Sequence, residues 1–279
     1  MAASALHAVL TSRWFDAYAR AGYVAKGVAW AVVGFIALRL ALGDEQAQAD
    51  FTGALAEIGE RPLHAILLVL LSVGLLGYAL WRVVQGALDV EGEGRDAWGW
   101  TKRASYAVLG LWYGAFGVYA LGILAGWSTE EDGLRDWTAM ALAWPGGAWL
   151  VGAAGAAVLA SGLLELYVAL TRKFEIEIGE SDLGRLERVC VLCTGGFGHA
   201  ARGLVYGALG FYVVQAALQF DPEEARGLAA TFRELLAQPY GTLLVSFAGA
   251  GFMAFGAYCV LLALHRHIPN ESIFRGRAS

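Results

Sequence analysis

A chain of 279 residues that is 58% apolar and only 16% charged departs from the roughly 25% charged residues of a soluble domain in the direction a bilayer demands. A net charge of −5 argues against nucleic acid as a partner, and three cysteines are too few for a disulfide-built secreted module. The 37 glycines lie inside apolar runs, where membrane helices often carry them, and mean hydropathy is +0.53.

Six stretches are long and apolar enough to cross about 30 Å of hydrocarbon: residues 22–42, 63–84, 104–126, 148–170, 198–219 and 240–264. The opening segment 1–21 has no basic start, so no targeting peptide is expected, and a tail of 265–279 closes the chain. After each odd span comes an acidic loop with a short helical pattern ending at proline. These are Leu55–Ile58 before Pro62, Trp137–Trp144 before Pro145, and Phe232–Leu236 before Pro239. Asp221 followed by Pro222, Glu223 and Glu224 reads as an N-cap with proline at the first helical position. Of the 20 Lys and Arg residues, 15 fall on the side holding both termini. The positive-inside rule therefore predicts cytoplasmic termini in a bacterial inner (plasma) membrane.

The spans repeat. Lys26, Trp30 and Gly34 in the first share a spacing with Arg202, Tyr206 and Gly210 in the fifth and with Lys102, Tyr106 and Gly110 in the third: a cation, an aromatic four later, a glycine eight later. Gly74 and Gly251 each precede an aromatic-rich stretch (Tyr78 and Trp81; Phe255 and Tyr258), while the middle copy has Ser161 and Leu164 there. A two-span unit returns the chain to its starting side, so the copies are parallel and imply a pseudo-threefold arrangement about the membrane normal. The copies are predicted at 22–99, 100–197 and 198–264. The predicted fold is all-α, six transmembrane helices in three parallel helical hairpins, with short interfacial helices in the outer loops.

Several stretches carry a family likeness: Ala21-Gly22-Tyr23-Val24-Ala25-Lys26-Gly27, Gly77-Tyr78-Ala79-Leu80-Trp81-Arg82, Ala200-Ala201-Arg202-Gly203, and Asp221 to Gly227 continuing at Gln238-Pro239-Tyr240-Gly241. In these the chain resembles the bacterial membrane proteins of domain-of-unknown-function family 1206, which carry three copies of a two-span unit. The resemblance covers nearly the whole chain and implies the fold, but no activity. Glu60-Arg61-Pro62-Leu63-His64 departs from the pattern, as does the second half of the middle copy.

Lys26, Lys102 and Arg202 are expected about one turn inside the cytoplasmic helix ends. The plainer reading is snorkelling to the headgroups. The sharper one is a ring of cations that binds an anion or an acidic lipid headgroup, with Trp30, Tyr106 and Tyr206 one turn deeper on the same face. Small residues four apart, Gly27/Ala31, Gly110/Gly114, Gly122/Gly126 and Gly203/Gly207, suit close helix packing. Cys190 and Cys193 form a Cys-x-x-Cys pair that topology brings towards His199, His265, His267 and Cys259. Their spacing fits no standard zinc pattern, so no metal is expected. The span centres show no ionisable group: Glu165 and Arg39 are read as lying near span ends, which counts against a coupled carrier. No phosphate loop, His-Glu-x-x-His or nucleophile elbow is present.

These features together predict a non-enzymatic, cofactor-free membrane protein whose partners are the lipid bilayer and other membrane proteins, serving as a scaffold or accessory subunit. The alternative is a small channel or uncoupled carrier along the pseudo-threefold axis.

Overall fold

In hydrocarbon a backbone must satisfy its own polar groups, and a helix does so within one segment. The computed structural model describes residues 13–44, 46–59, 64–89, 92, 94, 96–125, 133–177 and 183–265, and those residues contain helices and turns but no strand. Six helices are long and apolar enough to cross a membrane: α1 (Arg13–Ala41), α3 (His64–Leu88), α4 (Ala97–Leu124), α6 (Gly147–Thr171), α7 (Arg185–Gln219) and α9 (Gly241–His265). Three short helices lie in the loops, α2 (Phe51–Gly59), α5 (Gly133–Leu142) and α8 (Leu228–Ala237).

Three of the spanning helices begin earlier than hydropathy suggests, α1 among them at Arg13. α7 starts at Arg185, so Cys190 and Cys193 lie within it, and α4 starts at Ala97 behind an Asp96 N-cap whose carboxylate accepts the Gly99 N–H at 3.0 Å. These added turns are polar, so a hydropathy window misses them although the helix continues. Asp221 does precede a helical turn with Pro222 at its first position, but not the start of α8. Pro222–Glu224 form a 3₁₀ turn, and α8 begins six residues later behind Gly227. The side-chain cap on a loop helix is instead Asp50, which accepts from the Gly53 N–H and the Thr52 hydroxyl, both at 2.7 Å, at the start of α2.

The most extensive seams join neighbouring copies of the unit: α3 with α4, α6 with α7, and α9 with α1. Lesser seams hold α1 to α3 and α7 to α9. Among the described residues α4 and α6, the two spans of the middle copy, share no such seam. The helices therefore run α4–α3–α1–α9–α7–α6 around an incomplete ring that opens between its two ends. The three two-span units stand as expected, but the middle one is held by its neighbours rather than by its own seam. Correspondingly, α4 and α6 have the least of their spans inside the protein, 28% and 11% against 61% for α1.

Glycine makes the large seams possible. A Cβ at Gly27 would come 2.6 Å from the Gly256 carbonyl oxygen, and one at Gly34 2.5 Å from that of Gly249. Gly110 stands in the same relation to the Ala79 oxygen at 2.9 Å, and Gly203 to that of Gly162 at 2.9 Å. Each is a backbone-to-backbone approach that any side chain would hold apart. Of the other two glycines expected to pack, Gly114 would make an ordinary 3.5 Å contact with Ala79, and a Cβ at Gly207 would meet nothing within 4 Å. Arginines also fasten two of the seams. Arg20 donates to the Ala263 and Leu264 carbonyls at the end of α9 (2.6 and 3.1 Å), and Arg103 to the Gly86 and Ala87 carbonyls at the end of α3 (2.7 and 2.9 Å). Both satisfy the orphan acceptors that a helix C-terminus leaves.

Candidate functional site

The interior of the ring is aromatic. The Trp30 indole is edge-on to Phe51 and Phe252, both at 4.8 Å, and to Phe255 at 5.7 Å. Its Nε1–H donates to the Tyr113 hydroxyl at 2.9 Å. Phe51 comes from α2, which covers this end of the core and also stacks on Phe116 at 4.8 Å. Phe232 of α8 does the same beside Phe252. Such ring pairs contribute about 0.5–1.5 kcal/mol each beyond their area.

Into this aromatic interior α1 and α7 each place one cation. Lys26 is 7% exposed and Arg202 8%. Lys26 stands near the middle of α1, Arg202 at the middle of α7. Neither reaches out towards a headgroup, so the snorkelling expectation fails for both. The Lys26 ammonium donates to the Tyr78 hydroxyl at 3.1 Å and lies 5.0, 5.7 and 5.2 Å from the ring centres of Tyr78, Tyr113 and Phe255. The Arg202 guanidinium lies 4.8 Å over Trp30, 4.0 Å over Phe255 and 5.1 Å over Tyr206, and donates to the Tyr206 hydroxyl at 3.2 Å. Lys26 and Arg202 thus share the Phe255 ring. Cation–π attraction of this kind, removed from water, is worth about 2 kcal/mol.

Glu165 of α6 faces the same cluster. One of its oxygens pairs with Arg202 at 3.1 Å and the other meets His199 Nδ1 at 2.5 Å. His199 lies parallel to Phe174 and edge-on to Phe255, at 5.7 and 5.2 Å. Lys26, Arg202, His199 and Glu165 thus turn into the protein and gather there rather than facing lipid. Arg82 completes the group from α3, donating to the Tyr78 hydroxyl at 2.8 Å and to Gln85 at 3.1 Å.

The third expected cation is elsewhere. Lys102 lies 5.9 Å from the Trp98 ring, and Tyr106 meets the cluster only through the Arg82 guanidinium, 5.4 Å away. Tyr113, seven residues beyond Tyr106, takes the place beside Trp30. Its glycine is Gly117, which meets Leu76 across the α3–α4 seam, as Gly34 and Gly210 meet theirs. Two helical turns separate the two readings, and seven residues return to the same face, so the pattern matches at either register.

The Cys and His residues are not brought together. Cys190 and Cys193 are exposed, His199 is held by Glu165, and His265 Nε2 lies 3.6 Å from Glu187. His267 lies outside the described residues. Among the described residues no three Cys, His, Asp or Glu side chains gather as a metal site requires.

The family described as Domain of Unknown Function (DUF1206) matches residues 21–89, 104–172 and 197–266. Those starting points place Lys26, Leu109 and Arg202 at one position of the unit, and Trp30, Tyr113 and Tyr206 at another, in agreement with the geometry. An uncharacterized protein of Bacillus subtilis (strain 168), YxxB, is 28% identical over 262 residues, covering 94% of this chain and 94% of that protein. No solved structure matches the chain. With three matched copies that together take in most of all six long helices, this chain is a polytopic membrane protein of the DUF1206 family.

Proposed function

We propose that the protein is a non-enzymatic membrane binding protein, a scaffold or accessory subunit that holds lipid or packs against other membrane proteins, with both termini in the cytoplasm. The observation that carries the reading is the filling of the ring's axis. Trp30, Phe51, Tyr113, Phe252 and Phe255 interlock there edge to face, and α2 and α8 close over the end. A solute pathway needs polar groups lining a passage, and these rings occupy that space. α4 and α6, at the two ends of the helix order, share no seam like the others among the described residues and are the least buried of the spans.

Two measurements on one preparation test this. Extracted with its surrounding membrane, the protein should retain a stoichiometric lipid or membrane protein. Reconstituted in liposomes, it should pass neither chloride nor phosphate. Anion flux above that of protein-free liposomes would overturn the binding reading in favour of a channel along the axis.

A further inference from the structure

The cluster around Lys26 and Arg202 is rich in hydrogen-bond donors and positive charge and poor in acceptors. Lys26 and Arg202 are both cationic, and Glu165 is the one carboxylate among the described residues that pairs with either. Arg202 Nε is buried without a partner among the described residues. The hydroxyl oxygens of Tyr78, Tyr113 and Tyr206 each accept from an N–H, from Lys26 and Arg82, from Trp30, and from Arg202. A tyrosine that accepts still has its own proton to give, and none of these three protons finds an acceptor among the described residues. Among Lys26, Arg202 and Glu165 one positive charge is in surplus, which in hydrocarbon is costly unless something balances it.

We propose that Lys26, Arg202 and the hydroxyls of Tyr78, Tyr113 and Tyr206 form a binding site for a monoanionic oxyanion, of the kind an acidic phospholipid presents in its phosphodiester. One negative charge balances the single positive charge that Lys26 and Arg202 keep in excess of Glu165. The guanidinium edge bearing Nε matches a phosphate or carboxylate, and the three O–H groups supply neutral donors. The aromatic rings exclude water, which strengthens each of these interactions. The missing seam between α4 and α6, the two spans least buried in the protein, makes the ligand a lipid. Glu165 and Tyr206, the cluster's least buried polar groups, sit on α6 and α7 at that side, while Leu109 of α4 is half-buried where the repeat would put a third cation. A headgroup can enter between α4 and α6 without leaving the membrane. This inference rests on the binding role proposed above and names its ligand.

The test uses the full chain in neutral detergent, with the thermal midpoint and native mass spectrometry read as lipid is added. Phosphatidylglycerol should raise the midpoint and be retained as one lipid per protein, and phosphatidylcholine should do neither. Oleate and inorganic phosphate separate the sources: a rise with oleate admits other lipid acids, and a rise with inorganic phosphate admits free oxyanions as ligands of the same site. Lys26→Met and Arg202→Gln should each weaken retention on the order of tenfold or more, the loss expected for a hydrogen bond to a charged group. Tyr113→Phe should weaken it several-fold.

Lys26→Met also separates a ligand site from a structural lysine. It should raise the lipid-free midpoint, because an unbalanced charge is removed, and abolish the phosphatidylglycerol gain. A lower midpoint with an unchanged gain would overturn the site. So would equal retention of phosphatidylglycerol and phosphatidylcholine. A lipid or protein co-purifying from native membranes but indifferent to Lys26→Met would defeat this site and leave the binding role standing; failure to retain any partner, or anion flux, would defeat that role itself.

Discussion

The first and third copies of the unit hold their own spans together, α1 on α3 and α7 on α9, whereas the middle copy lends α4 to the first and α6 to the third. The cause is local. In the first copy a Cβ at Gly22 would lie 2.6 Å from the Tyr78 backbone and one at Gly74 2.4 Å from Ala25; in the third, Gly198 meets Phe255 at 2.7 Å and Gly251 meets Ala201 at 2.1 Å. The family match places Ser105, Ala157 and Val108 at the middle copy's equivalents of Gly22, Gly74 and Ala25. Each is larger than the residue it replaces, so the two backbones cannot approach. The glycines that join one copy to the next are present in all three: Gly27 and Gly34, Gly110 and Gly117, Gly203 and Gly210. Closure between copies is thus built in three times, and closure within a copy only twice.

The largest effect should come from filling a closed hairpin. Gly198→Leu would drive a side chain into the Phe255 backbone, and thermal unfolding in one detergent should show a loss at or beyond the roughly 3 kcal/mol upper end of ordinary overpacking. Ser105→Leu, at the equivalent exposed position, should be nearly silent. Equal losses would mean that the middle hairpin closes as the others do.

A smaller effect is expected where the middle copy is tied to its neighbour by charge. Glu165→Gln keeps the shape of the side chain but leaves Arg202 without its carboxylate, and should cost about 2 kcal/mol, within the range for hydrogen bonds to charged groups. Denaturant unfolding would measure it. No loss would mean that α6 is held by its glycines alone.

The smallest concerns α2, which covers the closed part of the ring. Burial raises the Asp50 carboxyl above its ordinary value, against the lowering effect of the hydrogen bonds from Gly53 and Thr52. A raised folded value means that its contribution to stability is full below the unfolded carboxylate range and declines as pH rises through the folded value. Asp50→Asn keeps an N-cap acceptor, so it should shift stability by less than about 1 kcal/mol and flatten that part of the pH profile. A steeper fall in stability towards low pH would reverse the sign.

Much of the fold is legible before any coordinates, because span number and repetition are written in hydropathy and in glycines seven apart. The site is only half legible. Lys26, Trp30, Arg202 and Tyr206 stand out by their spacing, but Tyr113 hides behind Tyr106 because a seven-residue shift preserves the helical face. Glu165 and His199 carry no local signal at all. Their meaning comes from a pairing across two helices whose seam is set by Gly162, Gly203 and Gly210. Burial of Lys26 is equally silent, since a lysine near a span end and one turned inward read alike in a single strand of sequence.

The seam between α1 and α9 joins the first of these six spanning segments to the last of them. A ribosome delivers α1 to the membrane long before Gly249 and Gly256 exist, so Gly27, Gly34 and Arg20 wait for their α9 partners, and Lys26 for the Phe255 ring, while four more spans insert. A chain stopped short of α9 would leave Arg20 without the Ala263 and Leu264 carbonyls and Lys26 without the Phe255 ring. Assembly therefore has a natural checkpoint at its final step, and a circularly permuted chain that made α9 and α1 as neighbours would pass it first.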